Sequence, residues 1–275
     1  MRFLTIAFFS AMMLFTACRN KELVRPGEPL NVAFDKSMAL YEKEKFGDAA
    51  YGFDMVTRMG RGTNYAQEAQ YYLAESYFQD EQYILAASEY ERFISYYPQD
   101  EKRQKVEYKR AMCYYYQSPR YRLDQSATVR AIELFQLFNT KYPDSEFVIE
   151  SADRIDELRN KLARKTYESA EFYKRIGSYK AATIYYDQTI DRFPESEYSE
   201  KALVEQIDTY IVYADNSVSD KQSERYQLAI DTYEKFLQLF PQSSMRAEAE
   251  QSYSEAVKKL SELDVPAEGD ELGSN

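Results

Sequence analysis

The sequence predicts an all-α chain, an α-solenoid of stacked helix hairpins, and three observations carry that expectation. An aromatic-proline-polar phrase recurs as Tyr97-Pro98-Gln99-Asp100, Tyr142-Pro143-Asp144-Ser145, Phe193-Pro194-Glu195-Ser196 and Phe240-Pro241-Gln242-Ser243. In each copy the proline cannot continue the helix before it, and the Asp or Ser two residues on is suited to cap the helix after it. The prolines lie 45, 51 and 47 residues apart, too far for one helix and right for a helical pair. Between Thr63 and Ile176 there is no Gly, which suits long uninterrupted helices.

At the amino terminus Arg2 precedes an apolar run from Phe3 to Ala17, short for a bilayer span and right for a signal-peptide core. The run stops at Leu14-Phe15-Thr16-Ala17-Cys18, where small residues before a cysteine resemble a lipobox, with Phe15 in the place where Leu is usual. Residues 1–17 are therefore expected to be a lipoprotein signal peptide, and Cys18 the acylated first residue, holding the chain to a membrane by lipid. An ordinary secretory signal with an incidental cysteine is the alternative. Arg19-Asn20-Lys21-Glu22 has no Asp at the second position, which resembles lipoproteins sorted to the outer membrane and facing the periplasm. Residues 18–30, with Pro26, Gly27 and Pro29, read as a lipidated, extended tether.

Five repeats follow. Repeat 1 shows Ser37, Phe46, Ala49 and Phe53, with Arg61 where the others have proline. Repeat 2 shows Leu73, Ala74 and Tyr77, then Tyr83, Ala86, Tyr90, Phe93 and Pro98. Repeat 3 shows Ala111 and Tyr114, then Ala131, Phe135 and Pro143, its helices parted by an insertion from Ser118 to Gln125. Repeat 4 shows Ala170, Tyr173, Gly177, Tyr179, Ala182, Tyr186 and Pro194. Repeat 5 shows Tyr210, Tyr226, Ala229, Tyr233 and Pro241, with a polar insertion from Asp215 to Glu224. This order of small residue, aromatics and proline is the tetratricopeptide (TPR) pattern, in which small residues let paired helices approach and aromatics fill the remaining volume.

Glu146 to Ile176 lacks Gly and Pro and reads as one long helix or two abutting ones; Ala247, Ala249, Tyr253, Val257 and Leu260 continue a helical stripe that caps the stack. The expected domains are repeats 1–3 over 31–144, then a bridging helix, repeats 4–5 and the cap over 145–262. Residues 263–275 are polar and acidic and are expected to be disordered.

Composition narrows the function. The net charge is −11, against a nucleic-acid partner, and there is no His, the commonest general base and metal ligand. No Ser-x-x-Lys, Walker loop, Gly-x-Gly-x-x-Gly or Cys/His metal spacing occurs. No catalytic residue, cofactor or metal is expected, and a carboxylate pair of glycosidase type is the remaining enzymatic reading. Cys113, in Ala111-Met112-Cys113-Tyr114, reads as a small core residue rather than a nucleophile.

A binding surface is the better expectation. TPR geometry turns Phe34, Met38 and Tyr41 of repeat 1 toward the concave face, with Tyr71 and Phe78 of repeat 2. Repeat 3 adds Tyr108, Met112 and Tyr115. Aromatics and Met suit an extended peptide with large side chains; burial against each other by tight curvature is the alternative. Repeat 4 instead presents Arg164, Tyr167, Glu171, Lys174 and Arg175, a basic cluster suited to an acidic partner surface or a carboxylate. Arg164, Tyr167, Lys174 and Arg175 are the partner-docking candidates.

The most specific stretch runs Leu158-Arg159-Asn160-Lys161-Leu162-Ala163-Arg164-Lys165, on to Ala170-Glu171-Phe172-Tyr173 and Gly177-Ser178-Tyr179-Lys180-Ala181-Ala182. With the lipobox, tether and five repeats it resembles the BamD-type lipoproteins, the TPR component of the outer-membrane β-barrel assembly machinery, over residues 18–262. The resemblance implies lipid anchoring at the periplasmic face of the outer membrane. It also implies docking of the carboxy-terminal repeats on an Omp85-type barrel protein through its POTRA domains. The amino-terminal repeats would receive unfolded outer-membrane protein substrates. The start of repeat 5 departs from the family, and Tyr186 and Asp191 stand where its partner-contacting arginines are expected. A TPR scaffold for other envelope or peptidoglycan complexes and a glycan-capturing lipoprotein remain the alternatives.

Overall fold

Two kinds of turn set the helix boundaries of residues 23–263, the part of the chain that the computed structural model describes. The signal peptide of residues 1–17, the lipidation of Cys18 and residues 264–275 of the tail lie outside the described residues. The described residues hold eleven helices and no strand. Repeats 1 and 2 comprise α1 (Leu30–Glu42), α2 (Phe46–Met59), α3 (Asn64–Gln79) and α4 (Tyr83–Tyr96). Next come α5 (Arg103–Gln117), α6 (Ser126–Lys141), α7 (Val148–Arg175) and α8 (Tyr179–Arg192). The series ends with α9 (Glu197–Asp215), α10 (Ser219–Leu239) and α11 (Arg246–Leu263).

The repeated phrase is one turn used four times. α4, α6, α8 and α10 each stop at the residue before its aromatic. The carbonyls of Tyr97, Tyr142, Phe193 and Phe240 accept the N–H three residues on, at 3.2, 3.1, 2.9 and 3.1 Å. The side chains of Asp100, Ser145, Ser196 and Ser243 then accept the N–H two residues beyond, at 2.6, 3.3, 3.2 and 2.9 Å. Each bond satisfies a backbone donor at the entrance of the next helix, just before its first residue at Lys102, Phe147 and Met245 and in its first turn at Tyr198.

Within repeats 1, 2 and 4 the two helices meet through a left-handed residue, Glu44, Glu81 or Gly177, at φ 58°, 57° and 76°. The N–H of the next residue reaches back to Leu40, Tyr77 or Tyr173 at 2.9 Å, the closing bond of a Schellman cap. Gly177 adopts this conformation without strain, whereas the two glutamates carry a Cβ there.

Repeats 3 and 5 replace that turn. In repeat 5 the insertion shortens to Asn216–Val218, because Ser219 onward is helical and lengthens α10 to 21 residues. No Gly or Pro follows Val218 until Pro241, so nothing stops the polar stretch from joining the helix. The open question over 146–176 resolves to a single helix of 28 residues.

The chain divides into two compact units: unit 1, up to Ser118 with Glu133–Ser151, and unit 2, Pro119–Ile132 with Ala152 onward. Small and aromatic residues alternate in both cores, as with Ala49, Phe53, Ala86 and Tyr90 in unit 1 and Ala170, Ala182, Tyr186 and Phe236 in unit 2. α1 and α2 approach so closely that a Cβ on Gly52 would collide with the Ser37 side chain and lie 2.8 Å from Val24 Cγ2. That contact explains a glycine in the middle of a helix, where it otherwise costs stability. Ion pairs tie neighbouring helices together: Lys102–Glu68, Lys109–Glu75 and Lys141–Glu107, at 2.9, 2.5 and 2.6 Å.

Candidate functional site

Glu75 is a buried hub of polar contacts in unit 1. It is 4% exposed, accepts a hydrogen bond from the Tyr90 hydroxyl at 2.6 Å and pairs with Lys109 at 2.5 Å. The Lys109 ammonium lies 4.9 Å from the centroid of the Phe78 ring. Burial, and then the negative charge of Glu75, push the Tyr41 hydroxyl up to about 12. Tyr71 is pushed up by the same two causes in the same order.

The eight expected groove residues divide by burial. Tyr71, Tyr108 and Met112 are only 6, 6 and 5% exposed and fill the core. Tyr108 is covered by Phe147, stacked at 4.5 Å, with Phe138 at 5.7 Å. Phe34, Met38, Tyr41, Phe78 and Tyr115 are half-buried, with part of each side chain at the surface. Their rings meet edge to face, Phe34 with Tyr65 at 5.5 Å, Tyr41 with Tyr72 at 5.4 Å and Phe78 with Tyr116 at 5.9 Å. Tyr116, stacked on Tyr83 at 4.8 Å and 48% exposed, joins this surface although the sequence did not single it out. The run Tyr114-Tyr115-Tyr116 carried the signal, since a third consecutive aromatic on a helix must leave the buried face.

Unit 2 repeats the Tyr–Glu tie with different neighbours. The Tyr186 hydroxyl donates to Glu171 across the same 15-residue separation as Tyr90 and Glu75. Three residues after Glu171 stands Lys174, where unit 1 has Phe78, and the place of Lys109 is taken by Glu205. Lys174 Nζ lies 2.7 Å from Glu205 and 2.8 Å from Asp208. Burial alone would lower its pKa, but hydrogen bonds to the two carboxylates outweigh that and hold it above the usual lysine value. Its charge is thus met inside unit 2.

Tyr167 faces inward as well, 6.0 Å from Tyr186 and 5.6 Å from Tyr198, and burial followed by Glu171 pushes its hydroxyl up. Arg164 and Arg175 are exposed. Arg164 lies over the Tyr121 ring at 4.3 Å and 3.7 Å from Glu168. Of the four docking candidates, these two keep their charge at the surface.

Three cavities accompany these surfaces. In unit 1 a cavity of about 570 Å³ is lined by Arg58, Arg61, Arg92 and Tyr96, with Arg58 held by Asp54 at 2.7 Å and Arg92 by Glu89 at 2.9 Å. In unit 2, clefts of about 440 and 470 Å³ flank Tyr121. Burial pushes the Cys113 thiol up to about 12, which keeps it protonated and unreactive. No helix among the described residues is long and apolar enough to cross a membrane.

The family model YfiO, described as an outer membrane lipoprotein, matches residues 26–224. The outer membrane protein assembly factor BamD of Rickettsia prowazekii is 26% identical over 184 residues, covering 67% of this chain and 73% of that protein. Its namesake from Caulobacter vibrioides is 23% identical over 189 residues, 69% of this chain and 62% of its own length. Among solved structures, the TPR2AB–Hsp90 complex of yeast Sti1 aligns with 83% of this chain and 98% of that one, at 15% identity and a TM-score of 0.40.

Proposed function

The chain belongs to the YfiO family of outer membrane lipoproteins, and from that premise we propose that it takes part in assembling outer membrane proteins as a non-catalytic helical-repeat scaffold. Unit 1 receives unfolded segments of barrel proteins on its partly exposed aromatic surface. Unit 2 docks a folded partner, an Omp85-type barrel protein reached through its POTRA domains, with Arg164 and Arg175 as the available cations. Acyl chains on Cys18 hold the chain at the periplasmic face of the outer membrane.

The observation that carries this reading is the set of partly exposed side chains Phe34, Met38 and Tyr41 on α1, Phe78 on α3, and Tyr115 and Tyr116 on α5. An unfolded barrel strand alternates large apolar side chains with polar ones. Half-exposed rings and a methionine accept such side chains without demanding one sequence. The buried Tyr71, Tyr108 and Met112 stiffen the helices beneath, which lowers the entropic cost of binding.

Tyr41→Ala with Phe78→Ala tests the reading in the full chain. Helicity should persist while crosslinking to unfolded barrel proteins falls about tenfold, as expected for two aromatic contacts at a binding surface. Unchanged crosslinking at unchanged stability would remove this surface from the account.

A further inference from the structure

The segment between α5 and α6 is a fixed element. Gln125, 7% exposed, donates to the carbonyls of Arg120 and Leu123 at 3.0 and 3.1 Å and accepts from the Thr128 hydroxyl at 2.7 Å. Asp124 accepts the Ser126 N–H at 2.9 Å at the start of α6. From α7, Lys165 donates to the Leu123 carbonyl at 2.6 Å. These bonds fasten the segment to α7 and stand Tyr121 between two clefts, with the Arg164 and Arg122 guanidiniums 4.3 and 5.4 Å from its ring centroid.

The clefts are basic in an acidic protein. One includes Arg120, Lys161 and Arg164, the other Arg122, Lys165 and Arg175. Glu197 already has Lys201 at 2.5 Å and Glu157 has Arg154 at 3.4 Å, both cations from outside the linings. Glu168 and Arg164, 3.7 Å apart, offset each other and leave Arg120, Lys161, Arg122, Lys165 and Arg175 as the cations of the two clefts. Asp124 lies near Lys165, but its carboxylate is occupied by Ser126. Lys165 and Arg122 donate to uncharged oxygens, the Leu123 carbonyl and the Tyr121 hydroxyl, so those bonds leave their charge in place. The walls are aromatic: Tyr198 lines the first cleft, and Phe172 with the stacked Tyr173 and Tyr185 lines the second.

We propose that the two clefts form one docking site for an extended acidic protein segment bearing aromatic side chains, seated across Tyr121 with a side chain in each cleft. Charge complementarity points to it, because a chain of net charge −11 repels such a segment everywhere except where cations are gathered. Two adjacent clefts parted by one ring suit side chains i and i+2 of an extended chain, which point the same way. A flat anionic surface, such as a bilayer, would not reach into them. The inference rests on the geometry of unit 2 alone and holds whichever protein supplies the segment.

The test is fluorescence anisotropy with the full chain and a labelled peptide alternating Asp or Glu with Phe or Tyr. Binding should weaken about tenfold in Arg122→Glu/Arg175→Glu, as expected for loss of close charge pairs at an interface. It should weaken comparably in Tyr121→Ala. The exposed pair Arg61→Glu/Lys105→Glu of unit 1, which makes the same change in net charge, should leave binding intact. A peptide with Asn and Gln in place of the acids should bind at least as weakly as the reversed variant permits. Equal binding by the reversed variant at unchanged helicity, or by the neutral peptide, overturns the proposal. Failure of the peptide to bind while phosphatidylglycerol vesicles bind the parent chain, but not Arg122→Glu/Arg175→Glu, also overturns it and assigns the clefts to lipid.

Discussion

In unit 1, Glu75 accepts from Tyr90 and holds Lys109; in unit 2, Glu171 accepts from Tyr186 across the same separation, but Glu205 stands in the place of the lysine. Two differences, Lys174 for Phe78 and Glu205 for Lys109, change what the neighbouring helices show. Lys109 covers Phe78 and leaves an aromatic surface, whereas Glu205 draws Lys174 into a pair that occupies the matching position of unit 2. The Tyr–Glu tie belongs to the hairpin and recurs unchanged. The residues beside it are free to vary, and they set the chemistry of each face.

Alkali acts on both units and should have the largest effect. Burial holds Tyr41 of unit 1 and Tyr226 of unit 2 near 12, against an ordinary value of 10, and Tyr90 and Tyr186 are pushed further. Because the folded values are raised, the associated stability is present in full below pH 10 and is lost as pH climbs through 10 toward 12. The near-ultraviolet absorbance of the tyrosinates formed from these buried rings should rise together with the loss of helicity. A rise centred near pH 10 with helicity intact would show the rings to be solvated.

Glu75→Gln separates the units next. It strands the mostly buried Lys109 ammonium and should cost about 3 kcal/mol in urea unfolding, whereas Glu171→Gln should cost about 1 kcal/mol. Equal losses would mean that the Lys109 pair does not distinguish them. Lys174→Met should cost about 1 to 2 kcal/mol, because it leaves Glu205 and Asp208 facing each other without their cation. A neutral outcome would return Lys174 to the list of residues available for docking. The smallest effects lie in the turns and have opposite signs. Glu81→Gly should stabilise by roughly 0.5 to 1 kcal/mol and Gly177→Ala destabilise by about 1 kcal/mol, read as shifts in thermal midpoint.

These differences show which features a sequence displays. The four Pro turns were legible because every participant, aromatic, proline and capping Asp or Ser, lies within four consecutive residues. The left-handed turn was legible at Gly177 and hidden at Glu44 and Glu81, where nothing in a glutamate announces positive φ. The absence of Gly and Pro over 146–176 allowed one helix or two, since it shows only that nothing interrupts.

The candidate site was harder to read for the same reason. Tyr71, Tyr108 and Phe34 hold the same position in their repeats, yet Phe34 stays partly exposed, and Tyr108 is buried by Phe147, beyond another helix. Lys174 reads as a cation until α9 brings Glu205 and Asp208 to it. Tyr121 reads as part of a polar insertion until Lys165 and Arg164 of α7 are found against its segment. Local punctuation survives in the sequence, whereas burial depends on partners supplied from elsewhere in the chain.

The central claim is that the two units face different partners, and site-specific photocrosslinking in cells tests it most directly. A photoreactive side chain in place of Tyr116 should capture unfolded outer-membrane barrel proteins, and one in place of Arg175 should capture a folded membrane-assembly partner. Capture of the same proteins from both positions, or of none from Tyr116 in a folded chain, would contradict the account.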